Sequence, residues 1–188
     1  WCGKSEAKGG NCLVAWEEVC TPKWADGLGI PDLRWLNKAL QARWPWLQRT
    51  DKERSRAEFS IAVPPEAMAL AQAAMRTIVG DGSAARFWED CWVEGARIRE
   101  LAPALYNRVP NQVRMTRLVS DALGNGAWAG DVGPNLTGPE LEEYLWLWTR
   151  LEDFELAEGV DDKVQCSWEA NGLYSARSAY AAKFMGWQ

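Results

Sequence analysis

Few residues in this chain could do chemistry, and their spacing limits each of them. Neighbouring carboxylates occur at Glu142/Glu143, Glu152/Asp153 and Asp161/Asp162. Adjacent helix positions point about 100° apart, so no such pair forms an acid–base dyad by itself. A solvated acidic face is the expectation. Gly80-Asp81-Gly82 has the glycine content of a phosphate-binding loop. The required patterns, GxxxxGK[ST] or GxGxxG between a strand and a helix, are both absent. A turn between two strands is expected instead. Ser175 and Ser178 lack a partner base, and Ser175 is placed to cap a helix. The chain has no His, which removes imidazole as base, nucleophile activator or metal ligand. Cys2, Cys12, Cys20, Cys91 and Cys166 are odd in number and contain no CxxC. Neither metal nor cofactor is expected, and the thiols should be free and mostly buried, as in a reducing compartment.

Charge divides the chain. Its 188 residues carry a net charge of −5, unsuited to nucleic-acid binding by bulk charge. Residues 1–57 carry +3, residues 58–120 are balanced, and residues 121–188 carry −8. A phosphate-facing surface therefore belongs in the first third. There are 13 Trp. Most fall on or beside apolar stripes and should pack in a core. Trp24, Trp35 and Trp46 are the exceptions, each off the main stripe and near Lys23, Arg34 or Arg49. Basic-plus-aromatic positions suit stacking beside a phosphate backbone.

The positioning elements follow from periodicity. Residues 12–20 suggest a short amphipathic helix, and Asp26-Gly27-Leu28-Gly29 a turn. Asp32 can cap a helix to about Arg49, with Leu33, Leu36, Leu40, Trp44 and Leu47 as its stripe and Pro45 kinking or ending it near Trp44. Residues 50–60 are charged and aperiodic, as in a linker. Pro64-Pro65 opens a helix to about Ala74. Residues 77–79 and 85–88 flank Gly80-Asp81-Gly82 as a hairpin. Short helices are expected over 98–101 and 116–123. Thr137 starts a helix to about Leu151 with capping-box spacing. Val164, Cys166 and Trp168 alternate as a strand, with Asn171-Gly172 as a second hairpin turn. A last helix covers 176–184. The expected fold is α+β, mostly helical with two short β-hairpins, arranged as two small subdomains, 1–57 and 58–188. No apolar run approaches the roughly 20 residues of a membrane span. The chain opens on Trp1 with no initiator Met or signal segment, so it is expected to be an intracellular, unsecreted piece of a longer reading frame.

Several segments, in order, resemble the region downstream of the polymerase domain in plant LINE-type (non-LTR) retrotransposon reverse transcriptases. They are Gly9-Gly10-Asn11-Cys12-Leu13-Val14-Ala15-Trp16 through Val19-Cys20-Thr21-Pro22, then Gly27-Leu28-Gly29-Ile30 with Asp32-Leu33. Asn37-Lys38-Ala39-Leu40 and Arg43-Trp44 follow, then Val79-Gly80-Asp81-Gly82, Phe87-Trp88, Asp90 and Trp92. The last are Trp168, Asn171-Gly172 and Tyr174-Ser175-Ala176-Arg177-Ser178-Ala179-Tyr180. The resemblance implies a thumb or thumb-to-linker piece of an RNA-directed DNA polymerase. Such a piece lies after the catalytic Phe/Tyr-Ala-Asp-Asp motif and before a Cys/His zinc segment, and carries neither. It implies no catalysis by this piece alone, a grip on an RNA–DNA or RNA template–primer, and the upstream polymerase domain as partner. The residues expected to touch phosphates are Lys23, Arg34, Lys38, Arg43 and Arg49. Asp26, where the family has Gly, and Pro45 depart from the pattern, as a decayed copy without independent function would. A third expectation is a protein-interaction module using exposed Trp and the acidic last third.

Overall fold

The computed structural model describes residues 15–51, 62–124 and 126–184. In chain order the elements are α1 (Trp16–Val19), α2 (Leu33–Gln41), α3 (Arg43–Thr50), α4 (Pro65–Ala74) and β1 (Met75–Ile78). There follow α5 (Ile98–Leu101), α6 (Pro103–Arg108), α7 (Asn111–Thr116), α8 (Val119–Gly124), α9 (Ala127–Val132) and α10 (Gly138–Leu151). β2 (Lys163–Cys166) and α11 (Ala176–Ala181) complete the set. Single 3-10 turns lie at Lys23–Ala25 and Ala182–Phe184. The class is α+β and mostly helical, as expected.

The strands pair differently from the expectation of two local hairpins. Among the described residues there is one two-stranded sheet, β1 antiparallel to β2, with Met75 opposite Cys166 and Ile78 opposite Lys163. Residues 85–88 are not a return strand; Arg86 makes only an isolated bridge to Leu118. The physical reason is at Gly80-Asp81-Gly82: the Gly80 and Gly82 N–H groups donate to a distant carboxylate and the Asp81 N–H to Val160 O, rather than across a hairpin. At Asn171-Gly172 the chain does fold back, with Cys166 N–H donating to Gly172 O at 2.7 Å, but no second strand forms.

Two packing regions result. The larger core is aromatic: Phe87 and Trp88 are fully buried, edge to face with centroids 4.9 Å apart, and Phe87 stacks on Trp128 at 6.1 Å. Indole N–H groups are satisfied as burial requires. Trp92 Nε1 donates to Phe87 O at 2.8 Å, and Trp88 Nε1 to Asp131 at 3.1 Å. Asp131 is held in turn by Arg117 Nε at 2.9 Å.

The second region joins the two ends of the described chain. Ala42 of the α2–α3 junction packs with Ala67 and Ala71 of α4, all fully buried, because Ala lets helix backbones approach closely. Trp46 of α3 packs with Ala74 and Cys166 and stacks on Tyr174 at 5.9 Å. Burial at Ala39 and Ala42 turns the expected leucine stripe partly outward: Leu33 and Leu40 are exposed. Pro45 does not kink one long helix. The chain breaks at Ala42, so Pro45 falls in the first turn of α3, where its missing N–H costs nothing.

Candidate nucleic-acid interface

The five basic residues singled out above lie on the N-terminal layer formed by the first 3-10 turn, α2 and α3. That layer is positioned from the far end of the chain. Asp32 caps α2, accepting from Arg34 N–H at 3.0 Å and Trp35 N–H at 3.4 Å. Its other oxygen accepts from Lys183 Nζ at 2.9 Å, and its own N–H donates to Tyr180 Oη at 2.9 Å. Lys183 above all holds the Asp32 carboxyl below the usual range; burial pushes it up, and the cap N–H groups of Trp35 and Arg34 lower it again. Tyr174 Oη donates to Ala39 O at 2.6 Å. Burial pushes the Tyr174 phenol well up, so it stays a donor. α11 that carries Tyr180 is capped in turn by Ser175, which accepts from Ser178 N–H at 3.0 Å.

The turn before α2 is built by close backbone approach. Asp26 takes the left-handed conformation at φ 61°, and Gly27 sits where a Cβ would stand 2.0 Å from Thr21 O. This presents Lys23 and Trp24 to solvent, Trp24 being 58% exposed.

Lys23, Arg34 and Arg43 are exposed and make no ion pair with any described residue. Arg34 and Lys38 lie one turn apart on α2, on one face. Lys38 is partly engaged: its Nζ stands 2.7 Å from Glu66 and 5.6 Å from the Trp35 ring centroid. Arg49 is different. It is half-buried, pairs with Asp90, and lines the clefts beside β2 rather than the open surface. Trp46, expected beside it as an exposed aromatic, is 5% exposed and belongs to the core. Trp35 is half-buried, and its Nε1 is buried with no hydrogen-bond partner.

The polar feature that sequence reasoning missed is Asp162, assigned above to a solvated face. One of its oxygens accepts from Gly80 N–H at 2.7 Å and Gly82 N–H at 3.0 Å. The other accepts from Ala84 N–H and Ala85 N–H, both at 2.8 Å. Burial pushes this carboxyl up, but the four N–H bonds together outweigh it and hold the group below its ordinary range. The glycines are required: a Cβ at Gly80 would stand 2.0 Å from Val160 O, and Gly82 has φ +73°. So the Gly-Asp-Gly turn does hold an anion, but the chain's own. Nothing local at Asp162 announces this, because its partners lie far away in sequence.

Among the described residues, no three His, Cys, Asp or Glu side chains cluster to hold a metal ion, and no helix is long and apolar enough to cross a membrane. Cys20 and Cys166 are buried and Cys91 half-buried, all three as free thiols; Cys2 and Cys12 lie outside the described residues.

The chain is similar to a protein of Arabidopsis thaliana that carries a provisional name as a ribonuclease H protein. The two are 25% identical over 207 aligned positions, covering 95% of this chain. The chain spans about a third of that relative's length, 32%. No family model matches the chain, and no solved structure matches it.

Proposed function

We propose that this chain is a non-catalytic nucleic-acid-gripping piece of a retroelement protein, the thumb or linker region of a LINE-type reverse transcriptase. The observation that carries the reading is the exposure of Arg34 and Arg43 on the α2–α3 layer, neither in an ion pair with a described residue. Lys38 stands on the Arg34 face, and Lys23 and exposed Trp24 lie just before it. Solvated cations near an exposed aromatic suit a phosphate backbone, which any sequence presents alike. Similarity to a plant protein named for ribonuclease H supports a nucleic-acid setting. Arg49 has the weakest claim of the five, because Asp90 already neutralises it.

The test is binding to an RNA–DNA duplex across a salt series. Affinity should fall linearly on a log–log plot, and Arg34→Gln with Arg43→Gln should lower the slope by about 2, roughly 1 per phosphate contact. No binding at low salt would refute the reading for this chain.

A second reading rests on α10. Leu141, Leu145 and Trp148 are exposed at i, i+4 and i+7, an apolar stripe on the acidic third of the chain. Such a stripe suits a protein partner, in the parent the polymerase domain. Capture of that domain, lost on Leu145→Ser, is the corresponding test.

A further inference from the structure

A cavity of about 280 Å³ opens between α3, α4 and the segment after β1. Arg49, Arg86 and Arg97 contribute to its wall, as do Met68, Met75 and Met115. The three arginines are not equivalent. Arg49 is neutralised by Asp90. Arg97 is 7% exposed, yet among the described residues its guanidinium comes no nearer to a carboxylate than 3.8 Å, at Glu100, and it donates to the neutral carbonyl of Gln72. Arg86 is half-buried, and its guanidinium makes no ion pair with any described residue. Glu89 also reaches the wall, but it accepts from Tyr106 Oη.

Burying a guanidinium without a close anion is costly. Burial, and then the neighbouring Arg99, push the Arg97 guanidinium below its ordinary pKa. An anion in the cavity would relieve it. Arginine forks suit phosphate oxygens in particular. The three methionines stand in a wall that also holds Pro45, Val164, neutral polar side chains and the carboxylates of Glu89 and Asp90, and their polarisable thioethers accommodate flat aromatic rings. Cations together with soft apolar side chains match the usual make-up of a small-ligand pocket.

We propose that this cavity binds one nucleotide, with its phosphate on Arg86 and Arg97 and its base against Met68, Met75 and Met115. The nucleotide is either free or one residue of a single strand. An adjoining cavity of about 330 Å³ shares Arg49 and Arg86 and would give a strand its way out. This site is separate from the α2–α3 surface, and either can fail without the other.

Titration calorimetry with adenosine 5′-monophosphate, adenosine, inorganic phosphate and a short oligoadenylate tests it. The monophosphate should bind about tenfold or more tightly than adenosine, the margin of one charge-assisted phosphate contact. It should also bind more tightly than inorganic phosphate. Arg86→Gln should weaken the monophosphate by about tenfold. The backbone N–H of Arg86, which donates to Asp90, is untouched by that change. Met115→Asp, at a residue 44% exposed and so tolerant of change, should weaken it as well. Arg34→Gln with Arg43→Gln should leave monophosphate binding intact. A tighter oligoadenylate identifies a strand residue, and equal affinities identify a free nucleotide. Several results would overturn the proposal: no binding of either, equal binding of adenosine or inorganic phosphate, no effect of both Arg86→Gln and Met115→Asp, or loss with the Arg34/Arg43 variant.

Discussion

Asp162 ties residues 80–85 to a point far along the chain. Four backbone N–H groups converge on its two oxygens, and each would be left without a partner if the carboxylate were removed. An unsatisfied buried donor costs about 1–3 kcal/mol, and some of these would find water. Asp162→Ala should therefore destabilise the chain by about 3–5 kcal/mol, measured by urea unfolding. Its acidity gives a second expectation. A carboxyl whose folded pKa lies below its unfolded value contributes stability above the unfolded pKa, and loses it as pH falls through the folded one. Asp32 and Asp162 are both lowered. Stability should hold from neutrality to about pH 4 and decline below it, and Asp162→Asn should flatten that decline. Thermal midpoints across an acid pH series would show either result. Ser175 as a helix cap was legible from its residue type and position. Asp162 was not, because a charged residue beside another charged residue gives no sign of which distant amides it will meet.

Helices were the most legible elements, and strands the least. The capping box at Thr137 and Glu140 starts α10 as its spacing requires, with Thr137 N–H donating to Glu140 at 2.7 Å. Helix α5 spans the expected 98–101. A helix closes its hydrogen bonds within itself, so local signals suffice. A strand takes its partner from elsewhere. The β-capable run expected at 77–79 falls at the end of β1 (Met75–Ile78), which found 163–166 rather than its sequence neighbour. The Pro45 result has the same origin: a proline is a breaker or a starter depending on where the helix begins. Pro45→Ala should change stability by about 0.5 kcal/mol or less, against about 3 for a proline lodged in a helix interior. Denaturant midpoints and helical circular dichroism of the variant would check this. Of the proposed contact residues, the exposure of Arg34 agrees with its position off the apolar stripe. The engagement of Arg49 by Asp90 depends on tertiary packing that no spacing reveals.

At the scale of the whole molecule, the basic N-terminal layer is held by the acidic last third. Lys183 grips Asp32, Tyr174 grips Ala39, and Cys166 packs on Trp46. Charge is thus segregated in sequence but stitched together in space, and it leaves Arg34 and Arg43 outward. A chain ending at residue 160 would lose β2, Asp162 and α11 together. It should lose the protected amides of α2 and α3 in hydrogen exchange, while those of α10 survive longer. Equal loss throughout would show that the two packing regions unfold as one unit.

The pairing of Ile78 with Lys163 places the two ends of the aromatic region side by side. In folding terms, residues 79–162 are an insertion whose own collapse brings its flanks together. The loop-closure entropy for the β1–β2 pair is then met by that collapse rather than by the strands. The strands should accordingly form late, with small φ-values at Thr77 and Val164 and larger ones at Phe87 and Leu147. In evolutionary terms, the same geometry lets 79–162 be lengthened or exchanged as one block, provided that the Arg49–Asp90 pair tying it to α3 is kept.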